Sequence, residues 1–157
     1  MITAERVNDI PAMVPDEQCW RVPFETSDGV LRLFLRHIPA RAAAVSGPQR
    51  AVLYFNGARL PSAVTVAHQI EGWSWRDDLS ARGFDVWALD YLGYGQSDRY
   101  PQMKKAATAH SALGRIRPAA AQVEAAMSFI LERSGLERLS LLAPLVGNQH
   151  RSNRRYP

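Results

Sequence analysis

The 157-residue sequence has little of several things that would otherwise define it. It has one cysteine, Cys19, so it carries neither a disulfide framework nor a thiolate metal cage. Beside Trp20, Cys19 reads as a small packing residue rather than a nucleophile. No apolar run is long enough to span a bilayer, and the opening residues MITAERVNDI lack a basic region followed by an apolar stretch. The expectation is a cytoplasmic protein with no membrane span. There is no G-x-x-x-x-G-K motif, and Gly93-Tyr94-Gly95 lacks the third glycine of a dinucleotide fingerprint. No internal repeat or low-complexity tract appears. Lysine is nearly missing as well: only Lys104 and Lys105 stand among 19 basic residues.

The formal charge of +4 raises nucleic-acid binding as a question, and the placement of the charge answers it. Three of the basic residues, Arg151, Arg154 and Arg155, lie in the last seven positions with no acid among them. The other basic residues are mixed with acids, as on a solvated surface, so no basic stripe is expected to meet phosphates. Length, an apolar content of 46% and a charged content of 22% fit one globular domain with a workable core.

The stretch from Ala51 to Asp98 organises the chain. Val52-Leu53-Tyr54-Phe55 is a short β-prone run ended by Asn56-Gly57, a turn signal. Trp73 to Arg82 suits a short helix, with Ser74 as N-cap and Gly83 just past its end. Phe84 to Leu89 is again strand-like and ends at Asp90. Two buried strands joined through a helix predict a βαβ unit in a parallel sheet. Ligands of such sheets sit beyond the carboxyl ends of the strands. Here those ends carry Asn56-Gly57-Ala58-Arg59 and Asp90 to Asp98, the latter of the form D-x-x-G-x-G-x-S-D.

With the preceding R-G-F-D-V-W-A-L, that second loop resembles the end of the fourth strand of α/β-hydrolases. The first resembles the His-Gly turn after their third strand, with Asn56 where His is usual. The order and separation of the two motifs carry the resemblance, which covers residues 20 to 147. It implies an incomplete α/β-hydrolase sheet: an N-terminal hairpin, then parallel strands with crossover helices. The motif-loop residues are Asn56, Gly57, Asp90, Gly93, Gly95, Ser97 and Gly147. Asp90 reads as a loop-ordering carboxylate rather than the catalytic acid, which normally follows a later strand.

The flanks fit the same scheme. Residues 1 to 17 read as a loose lead-in with prolines at 11 and 15. Trp20 to Thr26 and Leu31 to Ile38, separated by Ser27-Asp28-Gly29, predict a hairpin. Residues 39 to 49 are a polar connection to the third strand. Residues 98 to 118 read as a loop with a broken helical turn. From Ala119 to Ser134 an apolar stripe of Ala120, Val123, Ala126, Met127, Phe129, Ile130 and Leu131 predicts the longest helix, ended by Gly135. Arg138 to Ala143 is the fifth strand. The expected division is 1–147 as hydrolase-like domain and 148–157 as a tail outside it.

In α/β-hydrolases the fifth strand delivers a nucleophile on a tight turn, G-x-S-x-G or a close variant. Alignment on the strand puts Ala143 and Gly147 at the flanking small positions and Leu145, which has no nucleophilic atom, at the nucleophile position. The backbone N–H groups of Ala58 and Val146 fall where oxyanion donors would stand. The catalytic acid and His come later in the family's chain order, and ten residues follow Gly147 here. The implied family reaction is hydrolysis of an ester-like small molecule by a Ser nucleophile, of esterase or lipase type, without cofactor or metal. The chain as written is expected to be inactive.

The genetic code offers a reason. Shifted by one nucleotide, codons for Ala-Pro-Leu-Val-Gly can instead spell Ala-His-Ser-Trp-Gly, a family-like elbow with Ser at position 145. His37, His68, His110 and His150 are scattered and read as surface or structural histidines. Ser74, in Gly72-Trp73-Ser74-Trp75, lacks the second Gly of an elbow. The alternative is a non-catalytic binding protein built on the half fold. The resemblance also leaves Leu139, Leu141 and Leu142 on an open strand edge prone to self-association.

Overall fold

The computed structural model describes residues 3–42, 50–55 and 60–143. Strands β1 (Glu5–Val7), β2 (Gln18–Thr26), β3 (Gly29–Ile38), β4 (Arg50–Phe55), β5 (Phe84–Asp90) and β6 (Ser140–Leu142) form one mixed sheet. Its order is β1-β2-β3-β5-β4-β6. Helix α1 (Trp75–Ala81) connects β4 to β5, and α2 (Ile116–Ser134) connects β5 to β6. The three C-terminal strands run parallel to one another, β5 beside β4 and β4 beside β6.

The opening hairpin forms where Asp28-Gly29 signals it, with Thr26 paired to Gly29 across a two-residue turn. Helix α1 starts at a capping box. Ser74 accepts from the Asp77 N–H, and Asp77 Oδ2 accepts from the Ser74 N–H at 2.9 Å. This satisfies two N–H groups that the first turn leaves without partners. The helix stops ahead of Gly83, and α2 stops at Gly135.

Several expectations are corrected. The lead-in is not loose, because Glu5–Val7 adds a sixth, antiparallel strand to the hairpin's outer edge. Residues 98 to 118 hold two separate 3-10 turns, Pro101–Lys104 and Ala107–Ala109. Helix α2 begins at Ile116, earlier than Ala119, because Pro118 sits in its first turn, where a missing N–H costs no helical bond. In the stripe of α2, Ala120 is exposed, and Gln122 is buried instead. Strand β6 is shorter than Arg138 to Ala143. Two basic residues read as solvated, Arg36 and Arg76, are buried.

The sheet is covered from both sides. On one face Trp20, Leu33, Leu35, Leu53, Trp87 and Leu89 pack against Val123, Ala126 and Ile130 of α2. Each large apolar side chain so buried contributes roughly 1.5–3 kcal/mol. On the other face Val86 and Ile38 meet Leu79 of α1, and Tyr54 and Ala88 meet Val66. Among the described residues no helix is long and apolar enough to cross a membrane.

Candidate functional site

The antiparallel pairing of Phe34 with Asp90 places the end of β5 beside the early part of β3. The loop from Asp90 to Asp98 starts there and is tied from three sides. Asp90 is fully buried. Its Oδ1 accepts the Ser62 N–H at 2.7 Å, and its Oδ2 accepts the Gln96 N–H at 3.1 Å. One carboxylate therefore joins the segment that follows β4 to the loop that follows β5. A buried carboxylate with two N–H donors is well satisfied, and removing it would strand both donors.

The second tie is to β3. Ser97 Oγ donates to the Asp90 carbonyl at 2.5 Å and accepts the Phe34 N–H at 2.7 Å. Asp98 continues the same exchange, its Oδ2 accepting the Arg32 N–H at 2.8 Å and its N–H donating to the Arg32 carbonyl at 2.9 Å. Side chains of the loop thus complete the ladder of β3 after β5 has ended. The third tie is to α2. Gln122 Oε1 accepts the Leu92 N–H at 2.8 Å, and Gln122 Nε2 donates to Tyr100 OH at 3.1 Å.

Gly95 is required by this arrangement. Its φ is +48°, and a Cβ on it would lie 1.9 Å from Asp90 Oδ2 and 2.8 Å from Pro61. Any side chain there would push the carboxylate off its donors. Gly93 also has positive φ and packs beside Met103. Tyr91 stands edge-on to Phe55 at 6.4 Å between centroids, and burial pushes its hydroxyl up to about 12.

Of the residues singled out in the sequence, Asp90, Gly93, Gly95 and Ser97 come together in this knot. Asn56, Gly57, Ala58, Leu145, Val146 and Gly147 lie outside the described residues, as does the 148–157 tail. The knot also uses Ser62 and Gln122, which the sequence reading missed. A lone glutamine interrupting the Ala-rich start of α2 was the available signal for Gln122.

No His is assembled with a nucleophile among the described residues. His37 stacks on Trp87 at 4.0 Å and lies 3.4 Å from Asp85 Oδ1. His110 sits 2.9 Å from the Ser111 carbonyl. Cys19 is buried, and burial, with the Glu17 charge, pushes its thiol up to about 11. A neutral thiol is a poor nucleophile and a poor ligand. No group of three or more metal-ligating side chains occurs among the described residues. At the far edge Leu141 is 48% exposed, whereas Leu139 and Leu142 are half-buried against the core.

No family model and no curated protein matches the sequence. Solved structures do. A cold-adapted esterase from an Arctic intertidal metagenomic library aligns at 18% identity and a TM-score of 0.54, covering 87% of this chain and 54% of that one. An esterase from Pyrococcus furiosus aligns at 15% identity and a TM-score of 0.53, covering 90% of this chain and 48% of that one. A hypothetical protein from Pseudomonas aeruginosa aligns at 15% identity and a TM-score of 0.51, covering 84% and 36%.

Together with the sheet order, this assigns the chain to the α/β-hydrolase fold. The opening antiparallel pair and β6 beside β4 stand where that fold has its first, second and fifth strands. The chain spans between about a third and a half of the length of the structures it matches.

Proposed function

We propose that this chain is the scaffold of a hydrolase of ester-type bonds whose parent works through a serine, and that Leu145 leaves the chain as it stands without turnover. The observation that carries the reading is the position of β6. It pairs with β4 in parallel, Leu53 opposite Leu141 and Tyr54 opposite Leu142, which supports reading the residues next in sequence, 143 to 147, as the family's nucleophile elbow. The neighbouring strand end carries the Asp90 knot, which orders the loops on that side. Ala58 and Val146 are the proposed oxyanion donors, and an aliphatic side chain at 145 supplies no attacking atom.

The one-nucleotide shift belongs to the same proposal. It replaces Pro144-Leu145-Val146 by His-Ser-Trp and leaves Ala143 and Gly147 in place. The test is the nucleotide sequence from codon 143 onward, read in all three frames. The shifted frame should continue into further strand–helix alternation with an Asp or Glu after a late strand and a His near its end. A stop within a few triplets of the shifted frame would overturn it.

One observation favours the rival reading of a non-catalytic interaction protein. Ile70 and Trp73 bond to each other's backbone across a turn at Glu71-Gly72, and both side chains are more than half exposed, with Trp75 at 50% beside them. Clustered exposed aromatics are common at interaction surfaces. On that reading the shifted frame has no continuation and Trp73→Ala with Trp75→Ala abolishes partner binding.

A further inference from the structure

We infer that the cavity between the opening hairpin and the start of α2 binds a zwitterion of dipeptide size, through Asp28 on the hairpin side and Arg115 with Tyr100 on the helix side. The cavity has a volume of about 380 Å³, within the range of small-molecule sites. Phe24, Leu113 and Pro118 give it apolar walls, and Asp28, Tyr100 and Arg115 line it between them. Its chemistry makes no use of position 145.

The hairpin side supplies an oriented acceptor. Gln102 Nε2 donates to Asp28 Oδ2 at 2.6 Å, and the Ser27 hydroxyl approaches the same oxygen at 3.5 Å. The Asp28 N–H donates to Thr26 Oγ1 at 3.2 Å, which holds the residue in the turn. Both side-chain donors are neutral. Among the described residues no cation pairs with Asp28, and its Oδ1 receives no hydrogen bond. A carboxylate held by one oxygen and open at the other is suited to an ammonium group.

The helix side supplies donors. Gln122 Nε2 donates to Tyr100 OH at 3.1 Å and to the Pro118 carbonyl at 3.1 Å, which fixes the hydroxyl beside the first turns of α2. A hydroxyl that accepts from Gln122 still has its own proton to give, and no acceptor for it stands among the described residues. Burial holds Tyr100 above its ordinary value, so the proton stays on at neutral pH. Arg115, just before α2, has no ion pair and no side-chain hydrogen bond among the described residues. A phenol proton and an unpaired guanidinium together suit a carboxylate. A simple cation or a simple anion would leave one side of the cavity unmet. A free amino acid carries its two charges on one carbon, whereas a dipeptide separates them by a further residue of about 3.3–3.6 Å and offers an apolar side chain to the walls.

The test is an NMR chemical-shift titration of the whole chain with glycyl-phenylalanine, its N-acetyl derivative and its C-terminal amide. The free dipeptide should bind with a Kd of about 1 mM or lower. Acetylation removes the ammonium and amidation removes the carboxylate, and each should weaken binding about fivefold, as expected for solvent-facing charge pairs. In Asp28→Asn the acetylation penalty should vanish while the amidation penalty stays, and in Arg115→Gln the reverse should hold. Both residues are exposed, and Asn-Gly suits the two-residue turn as well as Asp-Gly does, so both variants should fold. No saturable shift up to about 10 mM dipeptide, equal binding of all three compounds, or penalties that persist unchanged in both variants would overturn the inference.

Discussion

On the α2 face of the sheet, Leu33, Leu35, Leu53, Trp87 and Leu89 meet Val123, Ala126 and Ile130, with Trp20 capped by the Arg133 guanidinium at 3.8 Å. On the α1 face, Arg36 stands between Phe34 and Ile38, and the helix turns Arg76 and Asp77 inward while Trp75 stays half-exposed. One face is joined by apolar area, which is forgiving of small displacements. The other adds to its apolar contacts buried charges in fixed geometry, each of which fails if its partner leaves. The loops at the strand ends repeat the second pattern, because Asp90 and Ser97 fasten them through directional bonds. This chain uses apolar burial for bulk stability and buried polar groups for position.

Breaking the charged face should give the largest effect. Glu17→Ala strands two buried guanidiniums and should cost about 3–5 kcal/mol of unfolding free energy. Replacing the trio together, with Glu17→Leu, Arg36→Met and Arg76→Met, should cost far less or even stabilise, since no charge is then left unpaired. Urea denaturation of both variants checks this. Equal losses in the two would mean that packing rather than charge joins that face.

On the apolar face, Ile130→Ala should cost about 2–5 kcal/mol by removing buried volume and leaving a cavity. Its effect should not change with pH. A pH-dependent loss would break the contrast between the two faces.

Asp77 sharpens it. Burial alone would raise its carboxyl. Hydrogen bonds from the Ser74 hydroxyl and backbone, with Arg41 behind them, outweigh burial and hold it below the usual carboxylate range. A depressed folded value means stability that is complete above the ordinary Asp value and lost as pH falls through the lowered one. Asp77→Asn should therefore cost roughly 1–3 kcal/mol at neutral pH. The gap to the parent should close on going from about pH 5 to below pH 3. Parallel curves for the two proteins would contradict the assignment.

The smallest effect concerns Cys19. With its thiol pushed up to about 11, only roughly one part in a thousand is thiolate at pH 8. A disulfide reagent should leave the native protein unmodified over minutes and react fully in denaturant. Fast native modification would mean the α1 face opens readily.

Much of the fold was legible because local signals and the final contacts agree. Asp28-Gly29 makes the hairpin, Ser74 caps α1, and Gly135 closes α2. The apolar periodicity of residues 123 to 130 buries the face it predicts. Strand β1 was not legible, since three residues with two exposed charged side chains carry no pattern of their own and form only by pairing with Cys19 to Arg21.

The charged face was illegible for a different reason. Glu17, Arg36 and Arg76 are far apart in the chain, and nothing local distinguishes a buried arginine from a solvated one. At the candidate site the motif D-x-x-G-x-G-x-S-D was visible. Its physical content appears only when Ser62, Phe34 and Gln122 close around it.

The central claim is that an esterase-type scaffold carries Leu145 where its nucleophile belongs. The direct measurement is fluorophosphonate labelling, run beside hydrolysis of a short-chain aryl ester, on the chain as written and on the product of the frame-corrected gene. The account predicts no labelling of the chain as written above a heat-denatured control. The corrected product should label at the serine of position 145, with both labelling and hydrolysis lost when that serine is changed to Ala. Covalent labelling of any serine in the present chain, or a corrected product that neither labels nor hydrolyses, would contradict it.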